Sequence, residues 1–120
     1  MTHRVWLAAL TMSCLCAQAL ADEAPAPPPA PEAIKACIKQ MDLGNKWSFD
    51  WKRLEIGVAR HPRNSYEAAY APPGTARWMA YGYPVHVVFS INGRADIDAV
   101  YWLIGDAGGH WQIPAICTLH

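Results

Sequence analysis

Cys37 and Cys117 stand 80 residues apart, and any fold open to this chain must allow them to meet. The other two cysteines, Cys14 and Cys16, belong to a segment that reads as an address. Residues 1–4 carry one positive charge, residues 5–16 (VWLAALTMSCLC) are apolar, and a small-residue stretch ends at Ala19-Leu20-Ala21. That is the pattern of a secretory signal peptide. A spanning helix needs about 20 apolar residues. This run is shorter and meets Asp22 and Glu23 at once, so no stable membrane insertion is expected. The residues before Cys14 and Cys16 match a lipoprotein cleavage pattern poorly, so lipid anchoring is not expected either. Cleavage near Ala21 removes both cysteines and delivers the remainder to the periplasm or the exterior, where disulfides persist. No cysteines form a C-x2-C pair, which leaves structural zinc and thioredoxin-type redox chemistry without support. Cys37 and Cys117 are therefore expected to pair as a structural staple. Closing a loop of about 80 residues stabilises the fold by about 4.5 kcal/mol in the chain-entropy model.

The whole chain is 120 residues with ten Lys+Arg against ten Asp+Glu, which allows one domain. Cleavage removes only Arg4 among the charged residues and leaves the mature chain close to minus one. Such a balance gives no field to attract phosphate backbones or anionic lipid, so nucleic acid is not an expected partner. A hydrophobic fraction of 52% is too high for disorder. Residues 22–31 (DEAPAPPPAP) are half proline and read as an extended tether, leaving residues 32–120 as the folded domain.

Pro31 suits the first turn of a helix, and Ile34, Cys37, Ile38 and Met41 follow at helical spacing with Gly44 as a stop. Cys37 lies on the apolar stripe. Residues 51–60 (WKRLEIGVAR) alternate with the period of a half-buried strand, placing Leu54, Ile56 and Val58 on one side. From His61 to Pro84 the chain mixes prolines and glycines with tyrosines and Trp78, and reads as a loop with one helical turn at residues 65–70. So long a connection is usually functional. Residues 85–91 and 95–104 are strands joined through Asn92-Gly93, a hairpin signal. A two-residue turn would set Phe89 against Asp96 and Val87 against Asp98, burying carboxylates. A three-residue loop with a bulge avoids this, placing Val85, Val87 and Phe89 beside Ala95, Ile97, Ala99 and Tyr101. A final strand at residues 110–118, with Ile104 opposite His110, adds Trp111, Ile113, Ala115 and Cys117 to that face. The expected fold is α+β: one amphipathic helix on a curved antiparallel sheet of about four strands, held by one disulfide.

The opposite face then carries His86, Val88, Ser90, Asp96, Asp98, Val100, Trp102, Ile104, Gln112 and Ile116. In the expected register His86 faces Asp98, and a carboxylate so placed orients an imidazole as a general base. No nucleophile lies near, since Ser90 is four residues along, and a cross-strand ion pair is the simpler reading. Metal binding would have to draw on His61, His86, His110 and His120 with Asp96, Asp98 or Asp106, which have no ligand spacing, so no metal or other cofactor is expected. Asp50 with Glu55, or Asp96 with Asp98, reads as a wet edge. The Gly-rich segment before His110 opens no helix and is no phosphate cradle. Trp111 and Tyr101 are expected in the core, whereas Trp78, Tyr81, Tyr83 and Trp102, with His86 and Gln112, are placed to meet a ligand. The functional expectation is a non-catalytic exported module that binds a protein or small ligand, such as an inhibitor, an immunity protein or an envelope accessory. The alternative is a small periplasmic hydrolase or isomerase using His86 and Asp98.

Overall fold

A computed structural model describes residues 25–72, 74–106 and 109–119; the expected signal peptide lies outside them. Helix α1 (Pro31–Lys39) begins with proline at its first turn, Glu32 beside the positive end of the helix dipole and Lys39 beside the negative end. Ile34, Cys37 and Ile38 are buried. The helix stops short of Met41 because Gln40, Met41 and Asp42 each donate to the carbonyl three residues back, tightening the last turn. The Gln40 amide then donates to the Thr118 carbonyl at 2.7 Å, tying this end to the last strand.

Strand β1 (Phe49–Ile56), α2 (Ser65–Ala69) and a 3₁₀ turn at Arg77–Met79 lead to β2 (Gly82–Ile91), β3 (Ile97–Gly105), β4 (Trp111–Ile113) and β5 (Cys117–Leu119). The five strands form one antiparallel sheet in sequence order. The chain is thus a small α+β fold. Ile34, Cys37 and Ile38 of α1 pack with Tyr83, Val85, Val87, Phe89, Leu103 and Ile113 of the sheet. Cys37 and Cys117 are bonded, with Cα atoms 5.5 Å apart.

Three details differ from expectation. First, Asn92 and Gly93 do form a two-residue turn, with φ of 55° and 70° and the Arg94 N–H donating to the Ile91 carbonyl. An extra residue between that turn and Ile97 then restores the parity, so that Phe89 faces Ile97. The core face keeps its odd-numbered residues, but pairing is two residues beyond the expected register. Second, the last segment is two strands. Pro114 cannot donate to a ladder, and with Ala115 at φ 66° it makes a tight turn closed by the Ile116 N–H on the Ile113 carbonyl. Cys117 therefore sits opposite Ile113 on the core face, whereas Ala115 is exposed at the tip. Ile104 faces Gln112, not His110. Third, β1 bulges at Lys52, which lets Trp51 and Leu54, three residues apart, both face inward. The strand ends at Ile56, leaving Val58 86% exposed instead of on the inner side.

Candidate functional site

The connection from β1 to β2 folds over one end of the sheet. Asn64 caps α2 by accepting the Glu67 N–H at 2.9 Å, which fixes the Glu67 side chain at the start of the helix. The Glu67 carboxylate takes both arms of the Arg60 guanidinium, at 2.8 and 3.0 Å, and the Arg63 N–H at 2.9 Å. Hydrogen bonding to Arg60 holds its carboxyl below the usual range, outweighing burial, which acts the other way. Arg60 in turn lies over the Trp102 ring. Trp102, expected to offer its ring to a ligand, is 3% exposed. Its ring occupies the space where a Cβ on Gly82 would lie, and its buried Nε1 has no hydrogen-bond partner among the described residues. Ile104 is buried as well, so the outer face is closed at this end.

Two grooves flank the β3–β4 turn. The first, of about 230 Å³, lies between Met79, Tyr81, Tyr83 and Trp111, with Pro25 and Ala26 along one side. The Tyr83 and Trp111 rings are 5.9 Å apart and inclined at 51°, and the Tyr83 hydroxyl donates to the Ala26 carbonyl at 2.6 Å. Tyr81 stacks obliquely on His61, ring centres 4.4 Å apart. The second groove, also about 230 Å³, runs past Tyr70, His110, Gln112 and Thr118. Both grooves share Pro72, Gly105, Asp106 and Trp111. Asp106 accepts the His110 N–H at 3.0 Å and meets its ring Nδ1 at 3.3 Å, which ties the end of β3 to the start of β4. Rings with a few polar atoms at their edges are the makings of a site that binds an amphipathic ligand or an extended peptide.

The sequence-derived candidates do not form one patch. Tyr81 and Tyr83 line the first groove and Gln112 the second. Trp78 stands one residue before Met79 and is 51% exposed. His86 does bond to Asp98, Nε2 to Oδ1 at 2.7 Å, although its direct partner across the ladder is Val100. The contact is diagonal, within reach of long side chains. Asp96, expected beside this pair, forms an ion pair with Lys52 at the bulge. Ser90 is buried four residues along β2. Four residues of β3, roughly 13 Å at strand rise, separate Val100 from Ile104, the partner of Gln112. Among the described residues no three of His, Cys, Asp and Glu gather as metal ligands, and no helix is long and apolar enough to cross a membrane. Tyr101 is half-buried, and burial pushes its hydroxyl pKa up.

Met79, the Arg60–Glu67 bridge and the tether contact were not among the residues singled out from sequence. Asn64 and Glu67 stand at capping-box spacing, which marks a helix start and would have located Glu67. Nothing in the sequence pointed to Ala26. The chain matches no protein-family model, no curated protein and no solved structure.

Proposed function

We propose that the chain is an exported, non-catalytic binding module that recognises a protein or small ligand through the grooves on either side of Trp111. The observation that carries this reading is the gathering of Met79, Tyr81, Tyr83 and Trp111 around about 230 Å³ of open space at one end of the sheet. Met79, Tyr81 and Trp111 remain partly accessible with Tyr83 buried beside them, and aromatic and methionine side chains so placed near a few hydrogen-bonding groups are the composition of recognition surfaces. The Cys37–Cys117 bond fits an oxidising compartment and agrees with export after cleavage near Ala21. Within this reading the module is an inhibitor, an immunity protein or an envelope accessory. Affinity capture from an envelope extract with the mature chain and its Tyr81→Ala variant tests the reading. A species retained by the first and lost by the second supports it, and identical retention removes the groove from consideration.

A second reading, a small hydrolase or isomerase, draws on the 2.7 Å His86–Asp98 bond. An exposed pair with a buried Ser90 nearby has a base but no nucleophile of its own, so water would have to serve. Turnover in a hydrolase and isomerase substrate screen, abolished by His86→Ala, is what this reading requires.

A further inference from the structure

The segment before α1 is seated on the domain. Pro25 and Ala26 line the first groove, Pro28 and Pro29 are half-buried, and the Ala26 carbonyl is bonded to the Tyr83 hydroxyl. Its composition explains why it can be held this way. Prolines fix φ near −65°, and Ala30, at φ −64° and ψ 150°, joins helix α1 in polyproline-type backbone. A chain in that conformation makes no hydrogen bonds within itself, so its carbonyls are available to outside donors. Grooves walled by aromatic rings and supplied with a donor recognise such segments, because the stiff chain loses little entropy on binding. Tyr83 and Trp111 supply inclined rings, Tyr83 supplies the donor, and Met79 and Tyr81 line the same space beside Pro25 and Ala26.

We propose that the Tyr83–Trp111 groove is a recognition site for a proline-rich extended peptide, and that Pro25 and Ala26 of this chain's own proline-rich tether occupy part of it in cis. The inference rests on the reading of this groove as a binding site and names its ligand class. A segment attached to the domain faces its site at an effective concentration in the millimolar range, so a partner peptide must first displace it. The tether is then a built-in competitor, and the site opens when the tether is drawn away.

The test uses the full mature chain, ¹⁵N-labelled, and a synthetic peptide of sequence DEAPAPPPAP as the probe. In one variant Pro27, Pro28 and Pro29 are all replaced by glycine, which loosens the tether without touching the core. This variant is expected to bind the peptide at least tenfold more tightly than the unaltered chain, with shifts centred on the Trp111 indole and the Tyr83 amide. Tyr83→Phe in the same background is expected to weaken binding about three- to tenfold, the worth of one hydrogen bond. Within the otherwise unaltered chain, Tyr83→Phe should move the amide resonances of residues 26 and 30 toward random-coil positions while Val85 and Val87 keep their dispersion. No saturable binding by the glycine variant, equal binding of a peptide with its prolines replaced by glycine, or shifts centred away from Trp111 overturns the proposal. If the peptide fails while Tyr81-dependent capture persists, only the ligand class is wrong. If both fail, the groove itself is not the site.

Discussion

The Arg60 guanidinium lies 4.6 Å from the centre of the Trp102 ring, and the same guanidinium is bonded at two points to Glu67. A cation over a desolvated indole gains from the ring quadrupole, and the carboxylate behind it keeps that cation from being buried unpaired. One side chain thus pins the long β1–β2 connection to the outer face of the sheet.

The bridge gives a pH signature. The Glu67 carboxyl is lowered from its ordinary value of 4.5 in the folded chain, so the stability it contributes is fully present above pH 4.5 and is lost as pH falls through the lower folded value. Glu67→Gln should cost about 1.5–3 kcal/mol at pH 7, the usual range for hydrogen bonds to charged groups. Urea denaturation of both proteins at pH 7 and pH 3 checks this. The gap should narrow at pH 3, and a constant gap would assign the loss to packing instead.

The staple should dominate global stability. Replacing Cys37 and Cys117 together by serine is expected to cost about 2–5 kcal/mol. Reductant should bring the unaltered chain to the same denaturation midpoint and leave the variant unmoved.

Ala115 occupies a turn position at φ 66°, where glycine is at ease and a Cβ is not. Its side chain is exposed at the hairpin tip, so little packing is at stake. Ala115→Gly should raise stability by about 0.5–1 kcal/mol, the left-handed penalty less the extra freedom glycine gains when unfolded. Calorimetry that shows a lower melting temperature would contradict this.

Gly82 is where the Trp102 ring crosses the backbone of β2. Gly82→Ala should cost about 1–3 kcal/mol through overpacking. Adding Trp102→Leu should relieve that clash, so the double-mutant cycle is expected to show coupling of about 1 kcal/mol or more. Simple additivity would mean that the two residues do not meet.

Much of this arrangement is legible in the sequence. The helix from Pro31, the core face of Val85, Val87 and Phe89, and the Cys37–Cys117 link all follow from period and parity, which survive a register shift of two. What parity cannot supply is coverage. Trp102 lies on the outer face as its number requires, yet it is buried because a loop 42 residues earlier supplies Arg60. Tyr83 and Trp111 share inner-face parity with Val85 and Ile113, but α1 is nine residues, about 13.5 Å long. The helix covers Tyr83 from the core side, and the tether completes the cover by accepting a hydrogen bond from its hydroxyl. The diagonal His86–Asp98 bond formed in a register where the two are not opposed, because side-chain length absorbs the offset.

Because the strands are laid down in sequence order, every ladder joins neighbours, and β2 with β3 needs only a short reversal at Asn92-Gly93. Such local topology lets a nascent chain assemble its ribbons quickly, before distant segments have found each other. The closure between α1 and β5, 80 residues apart, is sealed by sulfur beside the Gln40–Thr118 bond. Oxidation should accordingly come late, sealing a sheet that has already formed, and a cell that delays it would hold a folded but easily opened intermediate.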